Sequence, residues 1–168
     1  MAQIIADRRD IDFVLHEQLA VAELCKNEKY AEFTPGTFDM IISEARKLAI
    51  KEILPTFAEG DREGLAFEDG RVRMPAGFHR AYRLFCEGEW TALTASSELG
   101  GQGLPAVVAQ AVVEYFLGAN YSFTLCAWSG FGAGELVEAF GTPKQKDLFL
   151  QKMYSGEWGG TMALTEPD

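Results

Sequence analysis

Histidine is nearly absent from this chain: His16 and His79 are the only two among 168 residues. A zinc site or a histidine-based catalytic triad would have to be built from very little. Cysteine is scarce too. Cys25, Cys86 and Cys126 are far apart and odd in number, so they offer neither metal-ligand spacing nor a disulfide framework, and a reducing cytoplasm suits them best. Positive charge is in deficit, with 15 Lys and Arg against 25 Asp and Glu and a net charge of −10. Such a surface repels phosphates, which argues against a nucleic-acid partner but leaves room for a local basic pocket. No apolar run approaches the ~20 residues needed to span a membrane. The first residues, Met1 to Arg9, show no basic region followed by an apolar stretch, so no secretory signal is expected.

What is present is the composition of an ordinary globular domain, 48% hydrophobic and 24% charged, long enough for one sizeable core. The pattern is helical. Asp10 is placed to cap a first helix carrying Ile11, Val14, Leu15, Leu19 and Ala22, with His16 at its boundary. Thr34-Pro35-Gly36-Thr37 is a helix start. Phe38, Ile41, Ile42, Ala45, Leu48, Ala49 and Ile53 then form the cleanest amphipathic stripe, until Pro55 kinks or ends it. Residues 59–75 read as a charged loop with a small hairpin turning at Asp69-Gly70. Pro75 opens a helix that buries Phe78, Ala81, Tyr82 and Phe85.

The helix after Pro105 has little polar face and reads as largely buried. So does the stretch from Ser122 to Phe140, which carries Gly130, Gly132 and Gly134. Each of these costs helix stability by roughly 1 kcal/mol, so close approach of another helix or a ligand is expected there. Gly141 is expected to close that helix in a left-handed conformation. Thr142-Pro143-Lys144-Gln145 is a capping box for a short helix packing through Leu148, Phe149 and Met153 and ending at Gly156. Trp158 to Leu164 is the one convincing strand.

Candidate chemistry is sparse. Gly101-Gln102-Gly103-Leu104-Pro105-Ala106 fits a relaxed dinucleotide pattern, but no strand precedes it, so it reads as a turn starting a helix. Ala127-Trp128-Ser129-Gly130 lacks the leading glycine of a nucleophile elbow. Trp128 is core or the floor of a ligand pocket, and Trp90 is a hydrophobic anchor. Glu59, Asp61, Glu63, Glu68 and Asp69 lie in a solvated loop. Glu114 and Glu135 lie on buried-looking helices, salt-bridged or lining a pocket. These residues supply no catalytic group and no metal set.

Three segments nevertheless resemble one family. Ser97-Glu98-Leu99-Gly100-Gly101-Gln102-Gly103-Leu104 is similar to the P-E-x-G-G-x-G-L segment of acyl-CoA dehydrogenases, with Ser97 where the family usually has proline. Gly141-Thr142-Pro143-Lys144-Gln145-Lys146 resembles their G-T-x-x-Q-K helix start. Trp158 to Pro167 resembles their strand leading into T-E-P. The order and spacing are the family's, and the helix before Thr34 resembles the extension found in methylmercaptopropionyl-CoA dehydrogenases.

The resemblance implies an all-α fold: an extension helix at 1–33, the family's N-terminal helical domain at 34–157, and the first strand of its middle β-barrel at 158–168. It implies an oxidoreductase using FAD, in which a carboxylate removes the α-proton of an acyl-CoA and the β-hydrogen leaves as hydride to the flavin. Met162, Leu164 and Thr165 align with flavin-contacting positions, and Leu125, Trp128, Ser129 and Gly132 with the lining of the acyl pocket. The catalytic base and most of the FAD site belong to parts of the family polypeptide outside these residues, so this chain alone is expected to be inactive. Implied partners are an acyl-CoA, an electron-transfer flavoprotein or similar acceptor, and a homo-oligomer or complementary chain. A non-catalytic helical module docking onto a partner subunit is the alternative.

Overall fold

A computed structural model describes residues 5–161. Helix α1 (Arg8–Asp12) starts at Asp7, not at Asp10. The Asp7 carboxylate accepts from the Arg9 amide at 2.9 Å, which satisfies an N–H that an N-terminus otherwise leaves free. The helix widens over Phe13–Gln18, where Leu19 N–H reaches back five residues to the Val14 carbonyl. A left-handed Ala20 then turns the chain. Ile11, Leu15 and Val21 are buried, whereas Val14, Leu19 and Ala22 face outward. The widened turn has rotated them off the expected face.

Helix α2 (Pro35–Leu48) is capped by Thr34 and Thr37 in a reciprocal box. It buries Phe38, Ile42 and Ala45, and the stripe continues through Ala49 and Ile53. Proline has no N–H and its ring crowds the carbonyl four residues back. The chain meets Pro55 by widening over Ala49–Ile53, with Leu54 N–H on the Ala49 carbonyl at 2.8 Å, and α3 (Pro55–Glu63) begins at once. Glu59, Asp61 and Glu63 thus lie on a helix, exposed, and not in a loop.

Strands β1 (Ala66–Glu68) and β2 (Arg71–Arg73) pair antiparallel with Phe67 opposite Val72. Asp69 and Gly70 both have positive φ, as a tight hairpin turn requires. Helix α4 (Ala76–Glu87) follows Pro75 and buries Phe78, Ala81 and Phe85. Helix α5 (Ala106–Ala119) packs on α2, and α6 (Tyr121–Phe140) on α5 and α7 (Pro143–Tyr154). One main core joins α2, α4, α5 and α6 to the N-terminal segment through Ile5, Ile11, Leu15 and Val21.

Three expectations at the C-terminal end are corrected. Gly141 is extended, with φ −69°; it is needed because a Cβ there would stand 2.4 Å from the Val137 carbonyl oxygen. On α7 the buried side chains are Leu150 and Tyr154, which join Ala92 and Ala95, while Leu148 is exposed and Phe149 and Met153 are half-buried. The 142–145 capping box and the helix end at Gly156, which is left-handed, are found where the sequence places them. Trp158 to Thr161 is not a strand. The chain instead folds back on α7: Trp158 N–H bonds the Lys152 carbonyl at 2.9 Å and the Lys152 ammonium lies over the indole. The rest of that expected strand lies outside the described residues.

Candidate functional site

The glycine turn after Ser97 is settled by its own hydrogen bonds. The amides of Gly101, Gln102, Gly103 and Leu104 donate to the carbonyls of Ser96, Ala92, Ala95 and Leu93. A dinucleotide cradle needs such amides free, and here they tie the turn to the buried segment below it. A Cβ on Gly101 would stand 2.2 Å from the Ala95 carbonyl oxygen, so glycine is required for packing.

Helix α6 carries the four residues that the resemblance places at the acyl group. Trp128 is fixed from two sides. Its Nε1–H donates to the Trp90 carbonyl at 2.9 Å, and its ring packs edge-on to Phe85 and Phe116. It therefore belongs to the core margin and to a cavity wall at once. Trp128 and Gly132 line a cavity of about 330 Å³ together with Thr91, Leu93, Ala109 and Val113. Leu125 is exposed, and the Ser129 hydroxyl donates to the Cys126 carbonyl at 2.9 Å, as a helical serine does when it serves its own backbone. The structure brings Trp128 and Gly132 into one cavity; Leu125 and Ser129 lie on the outward face of the same helix. Met162, Leu164 and Thr165 lie outside the described residues.

A larger cavity of about 610 Å³ lies between Lys29, Glu32, the 94–97 segment, Glu135, Glu138 and Tyr154. Its chemistry is wrong for an acyl-CoA, because three carboxylates face it against one lysine and would repel the phosphates. Tyr154 OH donates to Glu138 at 2.5 Å; burial, then that carboxylate, pushes its phenol well above the usual tyrosine range. Glu135 lines this cavity and Glu114 a separate apolar groove, and both are exposed.

His16 takes part in a polar knot that the sequence alone did not show. Its Nε2 is 3.0 Å from Asp39 Oδ1, and Asp12, His16 and Asp39 hold ligand-type atoms within 4.8 Å of one another. Arg8 already pairs with both carboxylates, with Nε 2.5 Å from Asp12 and a second nitrogen 3.4 Å from Asp39. The knot ties α1 to α2. Thr91, Leu93, Ala109 and Val113 were likewise not singled out from sequence. The small Ala109 and Val113, four residues apart on one helix face, were the available signal.

Residues 36–157 match the family described as acyl-CoA dehydrogenase, N-terminal domain. The chain is 35% identical over 159 residues to the 3-methylmercaptopropionyl-CoA dehydrogenase of Ruegeria pomeroyi, covering 95% of this chain and 27% of that protein. It is 30% identical over 170 residues to the broad-specificity linear acyl-CoA dehydrogenase FadE5 of Mycobacterium tuberculosis, covering 100% of this chain and 28% of that protein. A butyryl-CoA dehydrogenase of Syntrophomonas wolfei is 31% identical over 163 residues, covering 95% and 27%. The chain thus spans little more than a quarter of the length of these relatives. No helix among the described residues is long and apolar enough to cross a membrane. On the match over residues 36–157, the chain belongs to the acyl-CoA dehydrogenase family, through its N-terminal helical domain.

Proposed function

We propose that this chain is the N-terminal part of an FAD-dependent acyl-CoA dehydrogenase, the enzyme class that forms a double bond between Cα and Cβ of an acyl-CoA thioester. The observation that carries this is the family match over 36–157. The described residues do not by themselves fit FAD. The amides of the glycine turn are taken by backbone carbonyls. No step through the flavin is assigned to them.

The domain reading is part of the same proposal: an extension at 1–33, the helical domain at 34–157, and the start of the middle β-domain at 158–168. What these residues contribute is one wall for the acyl group. Trp128, held by Trp90 and two phenylalanines, sets the depth of that wall, and Gly132 leaves it open. Leu125 and Ser129 extend it along α6. In the complete enzyme the partners are an acyl-CoA and an electron acceptor of the electron-transfer flavoprotein type, in an oligomer.

The test is anaerobic titration with butyryl-CoA, followed by the visible absorbance of FAD. This chain with added FAD is expected to show no bleaching. The same chain co-expressed with the unmatched part of the Ruegeria pomeroyi relative is expected to bleach. Bleaching by this chain alone, or none by the reconstituted pair, overturns the reading.

A further inference from the structure

Asp12, His16 and Asp39 bring two carboxylates and an imidazole to one point between α1 and α2, and the acyl wall makes no use of them. Their ligand-type atoms lie within 4.8 Å of one another, and His16 Nε2 is 3.0 Å from Asp39 Oδ1. Ligands bound at about 2.0–2.2 Å from one metal ion stand about 3–3.4 Å apart. His16 and Asp39 already have that separation, and a small rotation of the Asp12 carboxylate closes the rest. The side chains of Asp12, His16 and Asp39 are 39%, 33% and 45% exposed, so an ion can enter from solvent. Asp12 and His16 are four residues apart, a spacing that puts both on one helix face. His16 also stands in the widened turn Phe13–Gln18, and such turns within helices recur at functional sites.

The same point already attracts a cation, in the form of Arg8. Its guanidinium pairs with Asp12 and Asp39 and donates to the Ser43 hydroxyl at 2.7 Å. Ion pairs open to water are weakly held. A divalent ion carries twice the charge and also uses the lone pair of a neutral imidazole nitrogen, which an arginine cannot.

Tyr115 on α5 supplies an independent observation. The residue is fully buried, and its hydroxyl has no hydrogen-bond partner among the described residues. Arg8, Arg46 and Asp12 act on it electrostatically, which places it beneath the knot. Buried hydroxyls are rarely left unpaired. An ion with three protein ligands keeps a position for water, and that water is a partner for the Tyr115 hydroxyl.

We propose that Asp12, His16 and Asp39 form a site for a divalent transition-metal ion of the zinc type, with Arg8 as its built-in competitor, and that the ion pins the N-terminal segment to α2. One imidazole with two carboxylates suits such an ion, whereas magnesium prefers oxygen ligands alone. The net charge of −10 draws cations to the molecule. Two of the three ligands precede the family match at residue 36, and the site does not depend on the function proposed above.

The experiment is titration of this chain with zinc chloride, followed by calorimetry and by the ring-nitrogen NMR signals of its only two histidines. One equivalent is expected to bind and to move the His16 signals, leaving those of the exposed His79 in place. Magnesium chloride should move neither. His16→Ala and Asp39→Asn are each expected to weaken zinc binding at least about tenfold. Arg8→Ala should tighten it about threefold or more, because the competing cation is gone. Cys126→Ser, which removes the exposed thiol, should leave it unchanged. The thermal midpoint should rise with zinc in the parent chain and stay fixed in His16→Ala. Circular dichroism of each variant verifies folding. Binding that survives both His16→Ala and Asp39→Asn means an adventitious ion only and overturns the proposal. So does the absence of uptake, movement of the His79 signals in place of those of His16, or weaker binding by Arg8→Ala. Zinc that binds through His16 without raising the midpoint refutes the pinning.

Discussion

Three glycines at alternate positions of α6 look equivalent in sequence, and the structure separates them. At Gly130 a Cβ would stand 2.5 Å from the Trp158 carbonyl oxygen and 3.0 Å from that of Met153. Both are backbone atoms that no rotamer change can move. Gly130→Ala is therefore expected to destabilise by about 1–3 kcal/mol, despite the better helix propensity of alanine. Gly132→Ala meets nothing and should stabilise by up to about 1 kcal/mol. Urea unfolding of the two variants with unchanged m-values measures the difference, and a loss at Gly132 would show that the glycine has a reason inside this chain. Sequence reading reached the presence of close approach on this helix, because a glycine run in a helix is anomalous wherever it occurs. It did not separate the three, because the approaching atoms come from residues 153–160, which no local pattern places. Trp128 was open between core and pocket for a related reason: it packs on Phe85 and Phe116 and also lines a cavity, so the two readings do not exclude each other.

Among the elements, the legible ones were those whose cause is local. The Thr34 and Thr142 helix starts form as read, because a capping box closes within four residues. So does the Asp69-Gly70 hairpin. The face of α7 was misread because Leu150 and Tyr154 are selected by Ala92 and Ala95, more than fifty residues away. A second tertiary contact ties α4 to the C-terminal segment. Tyr82 on α4 donates its hydroxyl to the Gly156 carbonyl at 2.6 Å, and burial, followed by the nearby Cys86, pushes its phenol up to about 12. The neutral phenol is therefore the form the fold favours. Its contribution to stability is whole below the unfolded-state value near 10 and is lost as pH rises through 10 to about 12. Tyr154 and Tyr115 are shifted the same way. The urea midpoint is thus expected to fall over that window, and Tyr82→Phe, which lacks an ionisable group, should fall less steeply with pH although it starts lower for want of the hydrogen bond. An unchanged slope would place the titration elsewhere.

For the whole molecule, the boundary of the family match and the boundary of the core do not coincide. The match begins at residue 36, yet the main core includes Ile5, Ile11, Leu15 and Val21, each at most 8% exposed. Sequence periodicity showed a helix there but gave no depth to it, because a stripe of apolar residues says that a face is buried and not against what. In the structure Ile5 lies over α5, where a Cβ added at Gly118 would stand 3.8 Å from its side chain, and Arg8 and His16 bind Asp39 of α2, so the segment closes over both helices that form the centre of the domain. Fully burying one aliphatic side chain of this size contributes about 1.5–3 kcal/mol. Four of them contribute roughly 6 kcal/mol or more, as much as the entire net stability of many domains. Deleting residues 1–33 would remove these groups and expose the faces of α2 and α5 beneath them. The shortened chain, although it keeps all of the family match, is expected to lose cooperative thermal unfolding and to aggregate. The polar knot is expected to matter far less, since its members are partly exposed and ion pairs in water are worth about 1 kcal/mol or less. Arg8→Ala should therefore lower the midpoint only slightly, while Leu15→Ala should lose about 2–5 kcal/mol by leaving a cavity. A deletion that melts cooperatively within a few degrees of the full chain would show the segment to be an appendage, and calorimetry of the two chains decides it.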